Sequence, residues 1–408
     1  MPGHDLSFSD LIAPMSADAF MRDGFGQKPV HIQADPGARS GLLTWDGFNE
    51  ALAVSRYWTD ARLRIIMGSR FAMPQHYCDD AKTLDGQVML ANADKVRAFL
   101  GMGASMVANQ IDGVSPTVKR YARVLQQHFG AKIAANVYCS FCDVQAFETH
   151  YDLHDVFAVQ TEGEKVWRIW EGRADTPIHG LPDGEGTSRY LQATKGRLLF
   201  EAHMKPGDVL YLPRGQYHDA LASSSASLHV TFSISPVRGI DVIDVLRDEA
   251  EGEALFRSYV PDGRADRTAI KAYLQAMAQR LAAMAGSDAL LDAIALKQAS
   301  FDPGPDDYAL PHTPDLTFYA PTGQPSRIER RDEGYMLLTQ RENIILGKAH
   351  RAASWMLQQP FFSDLSLRAS YPELSEDEAR LLVQSLVNLG LIAQTQPQGL
   401  PVRKSPTS

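Results

Sequence analysis

The residues best able to do chemistry together lie between positions 147 and 170, FETHYDLHDVFAVQTEGEKVWRIW, where His150 and Asp152 are two residues apart. On an extended strand alternate side chains point the same way, so an imidazole nitrogen and a carboxylate oxygen can meet one ion. A third ligand has to come from elsewhere. His218, in GDVLYLPRGQYHDA, is the best-placed candidate, because it follows a Gly-Asp turn and a β-rich run, as a second strand of the same barrel would. Two histidines and one carboxylate leave half of an octahedron open, the arrangement used by non-haem Fe(II) oxygenases. A lone basic residue, Lys165, sits further along in the next strand. An HxD triplet alone is a weak signal, since a strand-borne histidine is more often a hydrogen-bonded core residue than a ligand. Here both halves of the set fall in strand-like runs, with room for intervening strands between them.

These residues need a scaffold, and the texture from 132 to 236 supplies one. KIAANVYCSF, AFETHYD, DVFAVQT, KVWRIWE, LLFEAHMK, DVLYLP, QYHDALA and SLHVTFSIS are eight short β-branched or aromatic runs with turns such as TEGE and KPGD between them. Eight such strands predict a small barrel or jelly roll whose mouth holds one ligand. Residues 175–195, rich in Gly, Pro and Asp, read as a long insertion beside that mouth. The first 131 residues read as a helical preface. Helical spacing in DLIAPMSADAFMRDGF and around 45–54 is separated by an extended KPVHI, and residues 63–90 show no clear period. A helix is expected at 93–100, and another at 116–129 with Ser115 as N-cap, Pro116 at the first position and Gly130 as terminator.

After Pro236 the β signal stops. Helical patterns at 242–250, 266–285 and 288–299 predict a helical region over 237–300, expected to serve dimerisation. Residues 301–315, FDPGPDDYALPHTPD, read as a linker. Over 316–408 two helices, the second opening on the capping box Ser375 to Glu378, and a final LIAQ strand suggest a winged-helix-like module. Its candidate recognition helix begins Glu376-Asp377-Glu378, which would repel phosphates, so nucleic acid is not the expected partner.

At 408 residues the chain is too long for one core, and its 44% apolar and 22% charged composition is that of an ordinary globular protein. No apolar run reaches about 18 residues and the N-terminus lacks a signal-peptide pattern, so no membrane association is expected. Three cysteines, Cys78, Cys139 and Cys142, form no disulfide framework and fit a reducing cytoplasm. Cys139 and Cys142 form a CxxC with no second pair, and read as ordinary strand residues. A net charge of −9 fits a basic protein or a small molecule better than a phosphate-tracking surface.

Taken together, HYD at 150–152, DVFAVQTEGEKVW, GDVLYLPRGQYHDA and SLHVTFS resemble the JmjC-type Fe(II)- and 2-oxoglutarate-dependent oxygenases, and within them the ribosomal oxygenases. The resemblance implies an α+β chain: a double-stranded β-helix (jelly-roll, cupin) barrel with a helical preface (catalytic domain 1–236), a helical dimerisation region and a winged-helix-like module. It implies His150, Asp152 and His218 as iron ligands, Lys165 as the cation for the distal carboxylate of 2-oxoglutarate, Asn136 beside the cosubstrate, and Ser233, with Thr231 as alternative, assisting Lys165. O2 would be the second cosubstrate. The implied activity is hydroxylation of a protein side chain at an unactivated carbon, a β-carbon, in a basic ribosomal protein, by a homodimer. Hydroxylation of a secondary-metabolite peptide and methyl-lysine demethylation are alternatives within the class. A metal-dependent cupin without 2-oxoglutarate and a non-catalytic interaction module are alternatives outside it.

Overall fold

The computed structural model describes residues 6–35, 37–84, 86–141, 147–182, 184–301, 317–331 and 334–395, and divides into units covering 1–304 and 305–408. The first unit opens with α1 (Phe8–Ile12) and α2 (Ala17–Asp23), whose Ser7 and Ser16 hydroxyls accept first-turn amides. KPVHI yields β1 (Val30–Ile32), and Thr44 caps α3 (Trp45–Leu52). Residues 63–90, which show no period, are strands: β2 (Leu63–Met67), β3 (Arg70–Phe71) and the hairpin β4 (Cys78–Thr83) and β5 (Gly86–Ala91). Then come α4 (Ala93–Gly101), the unforeseen strand β6 (Ser105–Asn109), and α5 (Pro116–Phe129), capped by Ser115 and ended by a left-handed Gly130.

The barrel strands are β7 (Ala131–Phe141), β8 (Asp155–Glu162), β9 (Lys165–Arg173), β10 (Leu198–Met204), β11 (Val209–Leu212), β12 (Gln216–Ala222) and β13 (Ala226–Pro236). Seven of the eight expected runs are therefore strands. AFETHYD is not: residues 142–146 lie outside the described residues, and 147–154 form an irregular segment tied down by a single bridge from His150 to His218. The insertion at 175–195 contains a helix, α6 (Glu185–Thr194).

The strands form an eight-stranded sheet, β1-β11-β8-β13-β7-β6-β2-β3, facing a three-stranded sheet, β10-β9-β12. The preface is thus not purely helical, because β1, β2, β3 and β6 widen the larger sheet at both edges. Alternation along β7 and β13 assigns their two faces. Ile133, Ala135, Val137 and Cys139, with Leu228, Val230, Phe232 and Ile234, enter the main core beneath Leu11, Phe20, Phe48, Val118 and Leu125 of the preface. Val156, Ala158, Leu210 and Leu212 turn the other way and pack on Trp167, Ile169, Ala202 and Met204 of the smaller sheet, closing the barrel.

Helices α7 (Gly239–Ala250), α8 (Ala254–Arg257), α9 (Arg267–Ala285) and α10 (Asp288–Ala299) follow. The expected linker lies, apart from Phe301, outside the described residues. The second unit contains β14 (Phe318–Pro321), the strands β15 (Ser326–Arg331), β16 (Gly334–Thr339) and β17 (Ile344–Ile345), α11 (His350–Gln358), β18 (Phe362–Ser363), α12 (Asp364–Ser370), α13 (Glu376–Asn388) and β19 (Ile392–Thr395). Its core is built on Leu337, Met356, Leu367, Leu382, Leu386 and Ile392. It is richer than two helices and a strand, with a third helix and two three-stranded sheets.

Candidate active site

His150 and His218 lie opposite one another as a hydrogen-bonded antiparallel pair, the His150 amide donating to the His218 carbonyl at 3.0 Å and the reverse bond measuring 2.9 Å. This sets the two rings 4.5 Å apart, centroid to centroid. The Asp152 carbonyl accepts from the Gly215 amide at 2.9 Å, which ties the other end of the segment to the turn before β12. Gly215 has φ +84°, and a Cβ there would lie 2.3 Å from the Ala174 carbonyl oxygen, so this turn requires glycine.

Each imidazole has its tautomer set by the backbone. Nδ1 of His150 is 2.8 Å from the Glu148 carbonyl and Nδ1 of His218 is 2.9 Å from the Gln216 carbonyl. A carbonyl only accepts, so each Nδ1 carries the proton and each Nε2 presents its lone pair. Nε2 of His218 is 3.6 Å from Asp152 Oδ2, and one ligand atom from each of His150, Asp152 and His218 lies within 4.8 Å of the others. In their neutral form two such imidazoles and one carboxylate, converging from one side, fit a divalent iron with its remaining positions open. Burial pushes the His218 pKa down to about 4, with His150 adding to the effect. Burial works against charge on Asp152, yet the imidazoles of His218, His150 and His154 outweigh it and hold the carboxyl below its ordinary value.

The residues next to the ligands are anchored too. Asp219, following His218, is 1% exposed and accepts from Thr149 Oγ1 at 2.8 Å, Arg168 Nε at 2.6 Å and Trp170 Nε1 at 2.8 Å. Thr149 precedes His150, so this carboxylate holds both ligand-bearing segments against β9.

Deeper in the barrel, Lys165 is 3% exposed and has no carboxylate partner among the described residues. Its closest polar neighbour is Ser140 Oγ at 3.5 Å, and burial pulls its pKa down to about 8. Close by, Nδ1 of His229 and Nε1 of Trp167 are buried with no hydrogen-bond partner among the described residues. Tyr138 stacks on His229 with centroids 5.0 Å apart, and Trp167 bridges the lysine end to the metal end, 5.4 Å from His229 and 5.7 Å from His218. An unpaired buried cation with unsatisfied polar atoms around it is costly. It is a fit for the far carboxylate of a dicarboxylate whose other end reaches the metal.

The other expected cosubstrate residues do not gather at that ammonium. Ser140 stands opposite Ser227 in the β7–β13 register. Thr231 and Ser233 are four and six residues further along β13, roughly 13 and 20 Å at strand rise. Ser233 donates to the Ala134 carbonyl at 3.1 Å, and Thr231 lies opposite Asn136. Asn136 accepts from the Gln110 amide at 3.1 Å and lines an open cavity with Thr59 and Arg62. A strand keeps residues of one face in line but not at one depth, so the carry-over of Ser233 to Lys165 fails on distance. Sequence reasoning does not single out Tyr138, Ser140, Trp167 or His229. The alternation in NVYCS and SLHVTFS already aims Tyr138, Ser140 and His229 to one face. His154 faces the Asp155 carbonyl and His203 is largely exposed. Cys139 is a buried thiol pushed up to about 12 by that burial, and Cys142 lies outside the described residues.

Residues 108–241 match a JmjC domain model. Ribosomal oxygenase 1 of Gallus gallus is 31% identical over 228 residues, 55% of this chain and 36% of that protein. The bifunctional lysine-specific demethylase and histidyl-hydroxylase NO66 of Dictyostelium discoideum is 37% identical over 231 residues, 55% of this chain and 41% of that protein. The chain thus spans less than half the length of either relative. A solved structure of YcfD, a ribosomal oxygenase from Escherichia coli in complex with cobalt and 2-oxoglutarate, aligns at 15% identity and TM-score 0.48, over 94% of this chain and 99% of that one.

Proposed function

We propose that this chain, whose residues 108–241 match a JmjC domain model, is an Fe(II)- and 2-oxoglutarate-dependent hydroxylase acting on a protein side chain. The observation that carries this reading is one barrel interior holding both a converging His-Asp-His set and an unpaired buried lysine. His150, Asp152 and His218 would hold the metal from one side, and Lys165 would hold the far carboxylate of the cosubstrate as a point charge. When bound, iron and 2-oxoglutarate supply an O2-derived oxidant able to take hydrogen from an unactivated C–H, with succinate and CO2 leaving. The chain's own part is geometry. Asp219 orients both histidines through their neighbours, the two Nδ1 protons stay on backbone carbonyls so that Nε2 faces the metal, and Val156, Ala158, Trp167 and Ile169 keep water from the interior.

The relatives' names, ribosomal oxygenase and histidyl-hydroxylase, support a ribosomal protein as substrate, and the chain's charge of −9 suits a basic one. Exposed apolar residues on α7, α9 and α10, such as Ile243, Leu274 and Leu296, support a homodimer through these helices, and the second unit would serve as a winged-helix-like interaction module. No described helix is long and apolar enough to cross a membrane. Incubation with ribosomal proteins, Fe(II) and 2-oxoglutarate, followed by peptide mass spectrometry, should reveal one side chain gaining one oxygen atom, absent with Asp152→Ala. Loss of a methyl group from methyl-lysine instead would move the demethylase named in the second relative ahead. Succinate formation without 2-oxoglutarate-dependent oxidation of any protein would sink the substrate class.

A further inference from the structure

We propose that the cavity where the starts of β7 and β8 meet the ends of β9 and β13 is a second binding site, for a nucleoside phosphate. It has a volume of about 680 Å³ and is closed on one side by α10 and Phe301. In a chain of net charge −9 it nevertheless collects five cationic side chains, Lys132, Arg173, Arg214, Arg238 and Lys297, against two carboxylates. Both carboxylates are already engaged. Asp155 accepts from the Tyr211 hydroxyl at 2.6 Å and the Arg214 amide at 3.3 Å. Asp241 takes both arms of Arg238 at 3.0 Å and its amide at 2.8 Å.

Arg173 is also committed, donating to the carbonyls of Gly26 and Gln27 at 2.9 Å each and of Arg214 at 3.1 Å. It and Arg238 brace the walls. Lys132, the Arg214 side chain and Lys297 form no ion pair among the described residues, although Lys297 is close enough to Asp241 to help hold its carboxyl down, and they arrive from β7, the turn before β12 and α10. Three unpaired cations from elements distant in the chain, directed to one space, suit a multiply charged tetrahedral anion better than a single carboxylate. Phe25 and Phe301, both partly exposed, add apolar surface against which a flat base can lie. The site shares no residue with the Lys165 pocket.

The full-length protein should be titrated calorimetrically with ATP and with a short single-stranded RNA at fixed ionic strength. Binding should weaken about tenfold or more in a Lys132→Glu, Lys297→Glu double variant, survive in Lys132→Arg, Lys297→Arg, and be unchanged in Lys165→Met. Circular dichroism and the melting temperature check each fold, and Lys132→Gln, Lys297→Gln replaces the reversal should it unfold. Tighter ATP than RNA would identify a free nucleotide as the source, and tighter RNA a polynucleotide; either supports the site. No binding of either, equal affinity in the charge-reversed protein, or loss of binding in Lys165→Met, which would put the phosphate inside the barrel, overturns it.

Discussion

The two faces of strands β7 and β13 obey opposite rules although they share a backbone. On the outward face Ile133, Val137, Val230, Phe232 and Ile234 bury apolar surface with no polar atom to satisfy. On the inward face Tyr138, Ser140 and His229 surround a lysine that, among the described residues, has no counter-charge, and the Nδ1 of His229 has no partner there either. The outward face lowers the free energy of the fold, and the inward face raises it until a ligand completes it. Such local cost is the expected mark of a binding site on an otherwise consistent scaffold.

Substitutions on each face should therefore fail differently. The largest effect is on the metal: Asp152→Ala should abolish Fe(II) binding, read by metal titration, while leaving the melting temperature near that of the parent. Next is the outward face, where Phe232→Ala should cost about 3 to 5 kcal/mol of stability in denaturant unfolding. The molecules that remain folded should still bind metal, because that side chain faces away from the triad.

Lys165→Met should invert the pattern by stabilising the ligand-free protein. The folded pKa of about 8 lies below the ordinary 10.5, so at neutral pH the fold bears the cost of a buried charge. That cost is present below about pH 8 and falls as pH rises from 8 to 10.5. A gain of up to roughly 3 kcal/mol at pH 7 follows from that shift, shrinking toward pH 10, while 2-oxoglutarate affinity is lost. An unchanged or lower melting temperature would show that the ammonium has a partner. The smallest effect is on positioning: Asp219→Asn should weaken Fe(II) affinity about tenfold with the ligands intact, whereas a purely structural role would change stability alone.

Much of this contrast could be read in the sequence, because alternation over DVFAVQT and SLHVTFSIS fixes both strand and face. The triad was legible for the same reason, although the segment bearing His150 and Asp152 is a bridged coil rather than a strand. Strands β2 to β6 escaped because they are short and, in the exposed β4–β5 hairpin, lack a buried face to impose a period. Asp219 escaped because its partners, Thr149, Arg168 and Trp170, converge only after three separate segments are brought together. Ser233 was drawn to Lys165 by motif order, which carries direction along a strand but not depth in a barrel.

The central claim is that one interior binds Fe(II) through His150, Asp152 and His218 and 2-oxoglutarate through Lys165. Its most direct test is anaerobic reconstitution with Fe(II), followed by titration of 2-oxoglutarate while recording the visible metal-to-ligand charge-transfer absorption, in the parent protein and in Lys165→Ala. The account predicts a saturable band in the parent, followed by succinate release on admitting air, and a much higher 2-oxoglutarate requirement in the variant with Fe(II) affinity retained. Iron binding without a band, or a band with the same 2-oxoglutarate dependence in both proteins, would contradict it.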